Sequence, residues 1–108
     1  MNAMKRVIID YTTPEDRELS RDLDSKLKTH ITFLKGCRNH STSMGNAIRF
    51  LKAKIRKVEA GTSEAEAKAG LVEAIERFVH DIHLSAVQIS ITACQKIRDG
   101  DVILTYGW

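Results

Sequence analysis

Three groups of residues in this chain have types and spacings that could support chemistry. Glu76, His80 and His83 stand at i, i+4 and i+7. On a helix they share one face and offer a carboxylate and two imidazoles, a partial ligand set for zinc or a similar transition metal. The set lacks a fourth ligand, and such residues commonly sit on a solvated face with no metal. Cys37 and His40 make half of a zinc motif, with no second half to close it. The third group is cationic. Arg49, Lys52 and Arg56 recur at helical spacing, with Lys57 beside them. Guanidinium and ammonium groups in a row suit carboxylates and phosphates. That stripe reads as a contact for an acidic or phosphorylated partner protein, or as a solvated helix face.

No glycine-rich phosphate loop is present. Cys94 is expected to be a buried structural thiol rather than a reactive one. No metal site is therefore expected. Cys37 and Cys94 lie far apart and outside any CxxC pattern, as two reduced thiols of an intracellular protein would. The N-terminus, MNAMKRVIIDY, has charges inside its apolar run and lacks a signal peptide's layout. No stretch approaches the roughly 20 apolar residues of a membrane span. Formal charge is +3, from 17 basic and 14 acidic residues. That near balance disfavours a dedicated nucleic-acid domain.

The elements that must position these groups are helical. A short first helix is expected at 3–10, with Met4, Val7 and Ile8 on one side. Thr13 and Pro14 offer an N-cap and a first helical position. The second helix is accordingly expected at 14–34, with the stripe Leu19, Leu23, Leu27, Ile31 and Leu34, and Gly36 as its stop. Ser43 is the expected cap of a third helix. Its apolar stripe is Ala47, Ile48, Leu51, Ile55 and Val58, and Gly61 ends it. Arg49, Lys52 and Arg56 fall on the opposite face.

A capping box, Ser63 with Glu66, opens the fourth helix. Val72, Ile75, Val79, Ile82, Ala86, Ile89 and Ala93 then alternate spacings of three and four, and Ile97 follows. That heptad-like seam predicts one long helix over 64–98, with a kink near His83 as an option, closed by Asp99-Gly100. The first half carries Lys68, Glu73, Glu76 and Arg77 away from the seam. In the second half, Leu84, Val87, Ile91 and Cys94 lie outside the seam as well. A helix apolar on every side is covered on every side. These four residues are therefore the expected subunit or domain interface, and self-association is a further expectation. QISIT also alternates as a local strand would. Beyond Gly100, DVILTY reads as a buried strand with no partner in this chain.

The fold class expected is all-α: a bundle of about four helices with one long C-terminal helix, ending in an orphan strand. Residues 1–99 form the helical domain, and residues 100–108 begin an α/β domain not otherwise present.

Four stretches carry a resemblance: VIIDYTTP, ELSRDLDSKLKTHITFLKGCR, STSMGNAIRFLK and KIRDGDVILTYG. In this order they resemble the regulatory alpha, beta and delta subunits of the eukaryotic translation-initiation guanine-nucleotide exchange factor, the two-B factor, and specifically the delta type. The family also includes sugar-phosphate isomerases acting on methylthioribose phosphate and ribose bisphosphate. The resemblance implies an N-terminal helical domain ahead of a Rossmann-like α/β domain. The isomerases' catalytic Cys and Asp lie in that second domain, so no position here matches them. Two departures stand out. Trp108 follows Gly107 where delta subunits have a small polar loop of the Cys-Ser-Ser kind, and the segment upstream of the first helix is missing.

The resemblance further implies a non-catalytic, cytoplasmic, regulatory and scaffolding module without cofactors. Its implied partners are the sister subunits and the phosphorylated alpha subunit of initiation factor two, with no membrane. The helical domain of a sugar-phosphate isomerase and an RNA-binding helical domain are the alternatives.

Overall fold

The computed structural model describes residues 1–37 and 41–106. Its order is α1 (Asn2–Asp10), α2 (Leu19–Cys37), α3 (Thr42–Arg56) and α4 (Glu64–Cys94). Each helix packs on the next, and α1 closes the ring against α4. Every helix supplies buried residues four apart: Met4 and Ile8, then Leu23, Leu27 and Ile31, then Leu51 and Ile55, then Leu71 and Ile75. Residues at i and i+4 lie one above the other on a helix, so each element presents one narrow ridge to a shared core. Val7, Leu19, Leu34, Ile48, Val58 and Val72 pack around its edge. The all-α bundle predicted from the sequence is thus the observed one.

Several boundaries differ from the sequence reading. Helix α2 begins at Leu19, not at Pro14. Residues 14–17 close a single turn instead, with the Arg17 N–H donating to the Pro14 carbonyl at 3.2 Å. Thr13 caps nothing, because no helix starts at Pro14; its N–H donates to Glu64 Oε2 at 2.8 Å and ties the linker to the start of α4. At its other end α2 runs through Gly36 to Cys37. A glycine stops a helix by taking positive φ, and among the described residues only Gly61 and Gly100 do so. The cap of α3 is Ser41 rather than Ser43, its hydroxyl accepting the Met44 N–H at 3.2 Å.

The capping box of α4 forms as expected. The helix then runs unbroken through His83 and ends at Cys94, four residues earlier than expected. QISIT is helical throughout. The ridge that α4 buries is Ala67, Leu71 and Ile75, with Val72 at its edge, so it is not the predicted seam beyond that point. Every described residue from Val79 onward is exposed. Residues 101–106 form neither helix nor strand. An orphan segment has no ladder to join, and its Val102, Leu104 and Tyr106 are almost fully exposed.

The outcome is a small bundle with a projecting stem. At 1.5 Å per residue the 31-residue α4 is about 46 Å long, and only its first half is packed. The radius of gyration, 18.4 Å, exceeds the roughly 13 Å of a compact chain of this length.

Candidate subunit interface

The stem places Leu84, Val87, Ile91 and Cys94 together on one face of α4, all exposed. Cys94 is therefore exposed rather than buried, because no element among the described residues reaches it. Ile82, Ala86, Ile89 and Ala93 lie on the other side of the same helix. Between Asp81 and Lys96 the only titratable side chains are His83 and Cys94. Soluble monomers rarely expose a continuous apolar surface of this extent, and where one occurs it marks an interaction site.

The cationic stripe is only partly assembled. Lys52 turns toward α2, where its Nζ lies 3.6 Å from Asp24 Oδ1. It therefore ties two helices together. Arg49 is exposed and donates to Asn46 Oδ1 at 2.6 Å. Arg56 and Lys57 are exposed and have no ion-pair partner among the described residues. Both stand at the C-terminal end of α3, with Lys57 at its cap. There the helix dipole favours positive charge, which gives these cations a local role as well.

The metal-type set does not assemble. Glu76 pairs with Lys5 of α1, while His80 and His83 are exposed. Among the described residues no three His, Cys, Asp or Glu converge as metal ligands. Cys37 is exposed, and His40 lies outside the described residues.

The sequence reading missed a polar node under the α1–α2 linker. Asp22 is almost fully buried. It accepts from the Tyr11 hydroxyl at 3.0 Å and Arg17 Nη1 at 2.9 Å. Lys26 stands 3.5 Å from its carboxylate and over the Tyr11 ring. Burial pushes the Asp22 carboxyl up, but the Tyr11 and Arg17 hydrogen bonds and the Lys26 charge outweigh it and hold it below the ordinary value. Tyr11 is raised, first by burial and then by the neighbouring carboxylate. An acid held ionised by three donors is a poor proton acceptor, so this node is structural. The visible signal was an Asp three residues after Leu19, on the edge of an apolar stripe. Glu64 is lowered to about 2 by its bonds from Lys68 and from the Thr13 backbone. A stacked pair, Phe50 and Phe78, with ring centroids 4.5 Å apart, also went unforeseen. It joins α3 to α4 where the stem leaves the bundle.

A family model described as the initiation factor 2 subunit family matches residues 1–108. Translation initiation factor eIF2B subunit delta of Schizosaccharomyces pombe is 42% identical over 107 residues, which covers 98% of this chain and 23% of that protein. The subunit of the same name in Dictyostelium discoideum is 41% identical over 106 residues, covering 98% and 17%. The crystal structure of eIF2B delta from Chaetomium thermophilum matches with a TM-score of 0.87 at 42% identity, over 93% of this chain and 37% of that one. The tetrameric eIF2B-beta2-delta2 complex from the same organism matches at 0.87 and 42%, over 93% and 33%. This chain therefore spans less than a quarter of the length of these curated relatives. No described helix is long and apolar enough to cross a membrane.

Proposed function

The chain belongs to the initiation factor 2 subunit family, and on that footing we propose that it acts as the helical regulatory and scaffolding module of a delta-type subunit of the translation-initiation exchange factor. It works by protein contacts in the cytoplasm and contributes no catalytic group. The observation that carries this reading is the uncovered apolar half of α4, in a chain 42% identical to a delta subunit crystallised with beta subunits. A helix apolar all round and packed by nothing among the described residues is built to be covered by neighbours. Leu84, Val87, Ile91 and Cys94 form the face that meets a sister subunit or a following domain. Residues 1–99 are read as the helical domain and residues 100–108 as the lead into an α/β domain.

Co-expression with a beta-type subunit, followed by gel filtration, tests the reading. The chain should co-elute with it, and Leu84→Asp with Ile91→Asp should abolish co-elution. Unchanged co-elution of that variant would remove these residues from the interface.

The second contact proposed is with the phosphorylated alpha subunit of initiation factor two, through Arg49 and Arg56 with Lys57 beside them. Lys52 drops out of this group because Asp24 already holds it. Guanidinium groups on an exposed face suit a phosphate or an acidic loop. In a pull-down against phosphorylated and unphosphorylated alpha subunit, Arg49→Glu with Arg56→Glu should lose the phosphorylated form selectively. Equal capture by variant and unaltered chain would return the stripe to the role of a solvated face.

A further inference from the structure

The formal charge of +3 conceals a strong separation of charge along the chain. From Ser25 to Val58 there is no Asp or Glu, against nine Lys or Arg. From Glu59 to Asp81 six acids stand against two bases. The basic stretch holds most of α2 and the whole of α3. We propose that the outer face shared by these two helices binds the phosphate backbone of double-stranded RNA without reading its base sequence.

The fold turns this composition into a surface. Lys52, near the end of α3, lies 3.6 Å from Asp24, near the start of α2. The two helices therefore run antiparallel, and that pair fixes their register. Arg21 stands three residues before Asp24, and Arg56 four residues after Lys52. Lys28 stands four residues after Asp24, and Arg49 three before Lys52. At about 1.5 Å per residue, Arg21 comes level with Arg56 and Lys28 with Arg49, one rung about 5 Å to either side of the Asp24–Lys52 pair. Lys35 carries the α2 row on to a length of about 21 Å. At about 100° per residue, Arg21, Lys28 and Lys35 fall within about 40° of one another on α2, and Arg49, Lys52 and Arg56 within about 60° on α3. All of these cations except Lys52 are exposed. Among the described residues, Lys28, Lys35, Arg49 and Arg56 have no ion-pair partner, and Arg21 meets only Glu18, at 3.5 Å.

Two features favour duplex RNA over another polyanion. A stable protein interface has an apolar centre inside a polar rim, and this face has none. The side chains between its cations are Ser25, Thr32, Asn46 and Ala53. Among the described residues, the exposed large apolar side chain of α2 and α3 is Phe33, about 140° around α2 from Lys28. The same absence disfavours a single strand, which is held by stacking its bases on aromatic side chains. What remains is two parallel rows of cations, which contact phosphates and carry no base information. A duplex presents on the order of ten phosphates over a length of about 21 Å, enough to occupy both rows.

Arg49 and Arg56 also belong to the phosphoprotein contact proposed above, so the two ligands should compete. Lys28 and Lys35 lie outside that contact, and they separate the two readings.

Fluorescence anisotropy of a labelled, mixed-sequence RNA duplex of roughly 20 base pairs, titrated with the 108-residue chain, tests the proposal. Binding should fall at about 1–100 µM near physiological salt, the range of backbone contacts without sequence readout. With about four phosphates neutralised, affinity should drop on the order of 100-fold between about 50 and 200 mM salt. Lys28→Ala should make that salt slope shallower by about one. Lys28→Glu should weaken binding at least tenfold. Lys54→Glu changes net charge equally, but Lys54 sits over the Phe50 ring on the side toward α4, so it should stay within threefold. The single strand of the same length should bind more weakly than the duplex.

Salt-independent binding, or no binding at low salt, would overturn the proposal. So would equal loss in Lys28→Glu and Lys54→Glu, because binding would then follow net charge and not this face. Tighter binding of the single strand, or displacement of the duplex by polyglutamate at matched charge, would overturn it too, the latter in favour of an acidic protein. The phosphoprotein reading fails separately: Lys28→Glu with Lys35→Glu should abolish RNA binding and leave capture of the phosphorylated alpha subunit unchanged.

Discussion

Replacing Ile75 and Ile89 by alanine, one at a time, measures where the folded core ends along α4. Ile75 is only 1% exposed, and Ile89 is 68% exposed fourteen residues further on. Removing three buried carbons at Ile75 loses their transfer free energy and leaves a cavity in the cluster that holds Ile8, Ile55 and Leu71. Such Ile→Ala changes in a packed core cost about 2–5 kcal/mol. The bundle itself is small, and at about 0.05–0.15 kcal/mol per residue it holds roughly 5–15 kcal/mol in total. Ile75→Ala therefore removes a large share, and at about 4–8 °C per kcal/mol the melting point falls by about 8–40 °C.

Ile89→Ala removes the same atoms from water-exposed helix. Alanine is the better helix former by a few tenths of a kcal/mol, so stability should be unchanged or slightly raised. Urea unfolding followed by far-ultraviolet circular dichroism makes the comparison. A destabilisation by Ile89→Ala close to that of Ile75→Ala would refute the reasoning, because it would mean the stem packs within its own chain.

The start of α3 can be checked by its cap: Ser41→Ala should cost about 1 kcal/mol, while Ser43→Ala should cost less than half of that in the same urea titration. Ser63→Ala breaks the α4 capping box and should cost about 1 kcal/mol by the same assay. Glu64 sets a pH dependence. Its folded value of about 2 lies below the ordinary 4.5, so its contribution is full above pH 4.5 and is lost as pH falls from there toward 2. Glu64→Gln should flatten stability across that window, seen as a smaller drop in melting temperature between about pH 5 and pH 3. Asp22 is also lowered and acts in the same direction, so some slope should remain in that variant. Tyr11→Phe removes one donor from the buried Asp22 carboxylate, and thermal melts should show a loss smaller than that of Leu27→Ala.

Which faces are apolar is written in the chain itself. Leu23, Leu27 and Ile31, or Leu51 and Ile55, recur at spacings that only one helix face can gather, and burial follows from that geometry. The α4 start is equally legible, because Ser63 and Glu66 satisfy each other within one turn. So is the apolar character of Leu84, Val87, Ile91 and Cys94, for the same reason: it is local. Contacts between distant segments were not. Thr13 looked like a helix cap, but the helix starts only at Leu19, and Glu64, 51 residues away, holds the Thr13 N–H and with it the linker. Lys52 looked like part of a free stripe until Asp24 drew it across to α2. Asp22 gained its burial and its bonds from Tyr11 and Arg17 only when the linker folded over it. The same holds for where the seam of α4 stops being core, since periodicity states that a face is apolar but not how far the neighbouring helices reach. Here α1 meets α4 at Glu76 through Lys5, α3 meets it at Phe78 through Phe50, and every described residue of the seam from Val79 onward is exposed.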